Sequence, residues 1–181
     1  MDKSIVALYY NQLLQEISYE DAKFKIRLEI LKEYFQREFE ELLKNQNEEL
    51  VEPLVFLPRI FGLERMFISY YNRLLVESWH FEHEQLIDFI KVFKDDSSIP
   101  FIEQAIKSNF EYMDCDINDC EGTTFFSFIR KCMWGLAEIN TQEALDLLRV
   151  FSDSENPVIR QNAKNQLKWA LEGDENMRLM P

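Results

Sequence analysis

Asn156-Pro157-Val158-Ile159-Arg160-Gln161-Asn162-Ala163-Lys164-Asn165-Gln166-Leu167 is the stretch that decides how this chain folds. Asn156 carries the side-chain oxygen that an N-cap needs, and Pro157 stands at the first helical position, where a missing N–H costs nothing. Just before it, Thr141-Gln142-Glu143-Ala144-Leu145-Asp146-Leu147 opens an amphipathic helix, and only Ser152-Asp153-Ser154-Glu155 separates the two. Two helices joined so briefly form an antiparallel pair. A similar opening occurs upstream at Asp96-Ser97-Ser98-Ile99-Pro100-Phe101-Ile102, and Ile129-Arg130 echoes Ile159-Arg160. Ile99, Ile102 and Ile106 precede Ala144, Leu147 and Phe151 by 45 residues, whereas Arg130 precedes Arg160 by 30. The difference is an insertion between the helices of the first pair, around Met113–Phe125, where Asp, Asn, Cys, Gly and Thr cluster.

Working toward the N-terminus, Glu82 to Phe93 predicts a helix with Leu86, Phe89, Ile90 and Phe93 on its apolar side. From Arg59 to about Trp79 so many large apolar residues recur that the segment reads as one buried helical spine. Residues 46–58 interrupt the pattern and read as an internal linker. Residues 20–45 predict a long helix, because Phe24, Leu28, Leu31, Phe35, Phe39 and Leu42 recur at spacings of three and four. A first helix is expected over residues 2–17, with Ser18 as the N-cap of the long one. Gly (4) and Pro (5) are scarce enough to favour long helices with short connections. A chain of 181 residues can bury a substantial core, roughly 70% of the surface exposed when unfolded.

The segment Asn156–Leu167 resembles the second helix of HEAT-type repeats, whose pattern is Asp-Pro-x-Val-Arg-x-x-Ala followed by Leu. Asn156 stands for the Asp, Ile159 for the Val, Ala163 for the Ala and Leu167 for the Leu. The first pair departs from that pattern at Met133, where Ala is usual, and through its insertion. The resemblance implies an all-α fold: antiparallel helix pairs stacked as a short HEAT-like α-solenoid with an N-terminal helical extension. It divides the chain into an N-terminal helical region (1–79), repeats (80–172) and a C-terminal tail (173–181). Such solenoids mostly bind other proteins.

The net charge is −13, and the two halves share it, with 10 basic against 17 acidic residues up to Ile90 and 10 against 16 beyond. A field of that sign repels nucleic acid and anionic membrane and favours a basic partner, although ordinary acidic solubility accounts for it equally simply. Cys115, Cys120 and Cys132 make an odd, sparse set without the density of a disulfide scaffold. Only Ile5 to Tyr10 is apolar near the start, too short for a signal or membrane segment. The expectation is a cytoplasmic protein with reduced thiols.

Candidate chemistry is thin. His80 and His83 could reach one metal with Glu82 or Glu84, but nothing else completes a site. Asp114-Cys115-Asp116-Ile117-Asn118 imitates the start of a calcium loop. Asp119 then stands where Gly belongs and Phe125 where Glu belongs. Cys115 and Cys120 lack further zinc ligands, Cys132 reads as a packed thiol, and no phosphate-binding or nucleophile-elbow motif occurs. Arg160, Lys164 and Lys168 make one basic stripe. No catalytic activity, cofactor or metal is expected, and neither nucleic acid nor membrane is an expected partner.

The expected surface is geometric. In stacked pairs the connections lie along one edge, which here carries Asp114, Asp116, Asp119 and Glu121, then Asp153 and Glu155. Trp134 either anchors a partner on the adjoining face or packs between repeats. In size and acidity the chain resembles the small acidic cytosolic immunity proteins of bacterial toxin–immunity systems, several of them helical and HEAT-like. That resemblance implies binding to a basic toxin, a nuclease above all, and occlusion of its active site. The alternative is a HEAT-like adaptor or scaffold without a toxin.

Overall fold

The computed structural model of the protein describes residues 21–108, 110, 113 and 124–172. The helix expected over residues 2–17, its Ser18 neighbour, Cys115, Cys120 and the acids Asp114, Asp116, Asp119 and Glu121 lie outside them. Among the described residues every regular element is helical, which establishes an all-α fold. The chain divides into two compact units that part between Leu63 and Glu64.

In the first unit, α1 (Asp21–Asn45) follows the expected stripe: Leu31, Phe35, Phe39 and Leu42 are all buried. Spacings of three and four keep these side chains on one face through successive turns. A 3₁₀ turn (Glu48–Leu50) leads into α2 (Val51–Ile60), which packs on α1. The expected linker over 46–58 is therefore mostly helix. Its polar start hides a buried set, Leu50, Val51, Leu54, Val55 and Pro58. Pro53 falls in the first turn of α2, where it removes no helical hydrogen bond.

The single helix expected from Arg59 to Trp79 is also corrected. Gly62 adopts φ +65°, its N–H bonds to the Arg59 carbonyl, and the Leu63 N–H bonds to the Pro58 carbonyl. That double hydrogen bond around a left-handed glycine is a Schellman stop. Leu63, just beyond it, is buried and closes the turn.

In the second unit, a 3₁₀ turn (Glu64–Phe67) opens α3 (Ile68–Leu75), followed by α4 (His83–Phe93). Asp95 accepts from the Ser97 N–H at the start of a further 3₁₀ turn, which runs into α5 (Ile99–Lys107). Helix α6 (Thr124–Ile139), α7 (Gln142–Phe151) and α8 (Pro157–Glu172) complete the unit. Thr141 caps α7 by accepting from the Ala144 N–H. Asn156 Oδ1 accepts from the N–H groups of Val158 and Ile159 at 2.9 and 3.3 Å, so the cap legible in the sequence is the one that forms.

Helix α6 is the hub. It packs on α4, α5, α7 and α8, while α3 packs on α4 and α5, and α7 on α8. Its inward side buries Phe128, Ile129, Cys132, Met133 and Leu136. Facing them are Leu86, Ile87 and Ile90 of α4 and Ile102 and Ile106 of α5, all buried. Gly135 lets the helices approach: a Cβ added there would meet Ile87 Cδ1 at 3.5 Å and Lys91 Cβ at 3.6 Å.

Two substitutions separate local from tertiary causes. Asn156→Ala removes the α8 cap and should cost about 1 kcal/mol. Gly62→Ala should cost about 1 kcal/mol from left-handed strain alone, because nothing lies within 4 Å of the added Cβ. Urea denaturation of each variant beside the wild type checks both values.

Candidate functional site: the polar seam between α4 and α6

Along the outer side of the α4–α6 contact runs a continuous row of cross-helix partners. Ser127 Oγ donates to Glu84 Oε2 at 2.7 Å, and Lys131 Nζ reaches Glu84 Oε2 at 2.8 Å and Asp88 Oδ2 at 2.7 Å. Lys91 Nζ, paired with Asp88, lies 4.4 Å from the centroid of the Trp134 ring. Trp134 Nε1 donates to Glu138 Oε1 at 3.1 Å, and Lys94 pairs with the other oxygen of Glu138. Partners ascend together on both helices, Glu84 with Ser127, Asp88 with Lys131, Lys91 with Trp134 and Lys94 with Glu138. Helices α4 and α6 therefore run parallel. A separation of 43 residues recurs along the row.

The row is electrostatically closed. Glu84, Asp88 and Glu138 meet Lys91, Lys94 and Lys131, so three carboxylates face three ammonium groups. Burial works against ionisation of Asp88, yet hydrogen bonds from Lys131 and Lys91, with their charges, hold its carboxyl below the usual range. Burial likewise opposes the charge on Lys131, and the hydrogen bonds to Asp88 and Glu84 raise its pKa nonetheless. Glu138 is held low against a smaller burial effect by Lys94 and by the Trp134 N–H.

Within this setting Trp134 is exposed, with 43% of its surface open. Of the two placements the sequence allows, a partner-facing ring or packing between repeats, the ring occupies the solvent side. Its face meets Lys91 and its N–H is fixed on Glu138. An aromatic ring held in one orientation loses little freedom on binding, which is what an interface anchor requires.

Asp153 and Glu155 are exposed in the α7–α8 connection. Arg160 shapes that connection, donating from Nη1 to the carbonyl oxygens of Ser154 and Glu155 at 2.6 and 3.1 Å. The expected basic stripe is thus partly spent within the fold: Arg160 holds a loop, Lys168 lies 3.8 Å from Glu172, and Lys164 is exposed. Cys132 is buried, and burial pushes its thiol well above the ordinary range, as expected of a packed side chain. His80 and His83 are buried, and each aims Nε2 at a backbone carbonyl. Among the described residues no group of three or more His, Cys, Asp or Glu could hold a metal ion. None of their helices is long and apolar enough to cross a membrane.

Sequence reading missed Ser127, Asp88, Lys91 and Lys94 as parts of one row. The only trace was the acidic pair Glu84 and Asp88, one turn apart, facing a Lys131-x-x-Trp134 step far along the chain. No family model, no curated protein and no solved structure matches the chain.

The seam predicts a particular pH behaviour. Asp88 has its pKa lowered on folding, so its contribution is present above the ordinary carboxylate range and fades only as pH falls through the lower folded value. Lys131 has its pKa raised, so its contribution is complete below the ordinary lysine value and fades as pH rises through the folded one. Lys131→Met should therefore cost about 1 kcal/mol, discounted for partial exposure. That cost should stay constant between roughly pH 5 and pH 9, as urea titrations across this interval would show.

Proposed function

We propose that the chain is a non-catalytic protein-binding module whose second unit stacks α3/α4, α5/α6 and α7/α8 as a short HEAT-like solenoid. Parallel running of α4 and α6, the second helices of successive pairs, supports this reading, since stacked repeats place equivalent helices side by side. Packing of α6 on α8, and of α3 on α5, extends the same neighbour order.

The module is proposed to act as an immunity protein that binds a basic toxin, most directly a nuclease, and covers its active site. The observation that carries the binding reading is Trp134, exposed yet locked by Lys91 and Glu138 on the α4–α6 face. The sign of the partner comes from the net charge of −13, because the seam itself is balanced. Unpaired attraction would then come from acids outside the seam: Asp153 and Glu155, together with Asp114, Asp116, Asp119 and Glu121. Exposed carboxylates accelerate association with a cationic surface and lose that advantage in salt.

Affinity capture of the tagged protein from its native host at low salt, with intact mass spectrometry, tests the reading. One basic protein in equimolar amount, released by moderate salt and losing its toxicity when bound, is the expected result. Against that partner Trp134→Ala should weaken binding at least about tenfold. Neutralising Asp153 and Glu155 should chiefly lower the association rate. A captured partner that is acidic, or whose activity is unchanged by binding, would leave an adaptor or scaffold role and refute toxin neutralisation.

A further inference from the structure

Helices α4, α6 and α8 contain four carboxylates, those of Glu84, Asp88, Glu138 and Glu172. Each has a cation. Lys131 serves Glu84 and Asp88, Lys91 joins it at Asp88, Lys94 meets Glu138, and Lys168 lies near Glu172. The reverse does not hold. Arg130 of α6 and Lys164 of α8 are exposed and make no ion pair among the described residues, and Arg160 spends its N–H groups on backbone carbonyls. In a chain of net charge −13 these helices therefore carry a surplus of positive charge, and the acidic excess lies in other parts of the chain.

That surplus reaches solvent at a defined place. Helix α6 is covered by α4, α5, α7 and α8, and past its first residue only Arg130 and Trp134 are exposed along it. A spacing of four sets them on one face, with Cβ atoms about 5–6 Å apart. The indole is fixed by Lys91 and Glu138, and Lys131 on the flank of the same stripe is engaged with Glu84 and Asp88. Only the guanidinium of Arg130 retains its charge for a partner. Its N–H groups form a planar fork that meets a carboxylate at two points, which an ammonium group does not do. A surface laid over the neighbouring indole would shut water away from such a pair, the arrangement in which a contact contributes most to binding.

We propose that Arg130 and Trp134 form a carboxylate-binding step: an acidic side chain of a partner protein pairs with Arg130 while its neighbour lies on the indole. The step rests on the binding reading above and deepens it, since a partner that is basic as a whole presents the opposite sign here. A cation brought to this face would meet Arg130 and find every carboxylate of the three helices already paired. A nucleic acid also offers anions, but its row of phosphates would meet the field of a chain at net −13. An isolated carboxylate on a protein surface satisfies Arg130 without that repulsion.

Nuclear magnetic resonance titration of the isotope-labelled full chain tests the step. The probes are a short blocked peptide rich in glutamate, its lysine counterpart and a short single strand of DNA. The signal is the Trp134 indole N–H, told apart from those of Trp79 and Trp169 by Trp134→Phe. The glutamate peptide should shift that signal saturably, more weakly as salt is raised, and the lysine peptide should not. Arg130→Gln should weaken the glutamate peptide about tenfold, and Arg130→Lys, which keeps the charge without the fork, should recover only part of the loss. Because Arg130 is exposed and makes no ion pair among the described residues, both variants should keep the fold, with the free indole signal in place. Equal binding of the lysine peptide, an affinity unchanged in Arg130→Gln, or the absence of a saturable shift would overturn the proposal. So would DNA bound ahead of the glutamate peptide, which would mark a phosphate-binding face instead. The titration uses no natural partner, so a failed capture counts against the binding reading and a failed titration against this step.

Discussion

Lys131 reaches across from α6 to two carboxylates of α4, and much of the second unit is arranged around that reach. One ammonium group satisfies Glu84 and Asp88 while the apolar sides of the same helices bury Ile87, Ile90, Ile129 and Leu136. Apolar burial supplies most of the stabilisation, since each such side chain contributes roughly 1.5–3 kcal/mol when removed from water. Partly exposed ion pairs contribute far less, and their role is to fix register. A slip of one turn between parallel helices would take Lys131 from its partners, leaving Glu84 without its cross-helix cation and Asp88 with Lys91 alone.

Register in turn decides what is presented outward. Because Lys91 is drawn to Asp88 on its own helix, it lies over Trp134, and because Glu138 is held by Lys94, its second oxygen remains for the indole N–H. An otherwise mobile surface aromatic is thereby fixed at two points. The exposed acids of the α7–α8 connection owe their arrangement to a different device, the bridging of Ser154 and Glu155 by Arg160.

Those features differ in how legible they are in the sequence. Asn156 and Pro157 announce the start of α8 because capping depends on neighbours within one turn, and α1 is announced by a stripe of one period. Residues 46–58 mislead because polarity and proline look alike in a linker and in a helix's first turn. Only Leu50, Val51, Leu54 and Val55 packing together reveals the difference. Gly62 misleads in the opposite way, one left-handed residue inside an apolar run that otherwise reads as continuous helix. Trp134 has Met133 and Gly135 beside it, so local pattern cannot tell an exposed ring from a buried one. The seam lies still further out of reach, since it pairs residues 43 apart whose relation exists only once two helices run side by side.

Lys94 ends α4 in the left-handed conformation, at φ +50°, a place where glycine would relieve about 1 kcal/mol of backbone strain. Gln46 and Asn140 end α1 and α6 in the same way, at φ +52° and +53°. At Lys94 alone among these three the strained residue also supplies an ion pair across the seam, to Glu138. Backbone relaxation and side-chain pairing therefore compete at one position: a glycine would ease the turn and unfasten the row at its C-terminal end. Helix termination and the fixing of the indole are coupled there, so the stop that optimises folding is not the one that best holds the ring.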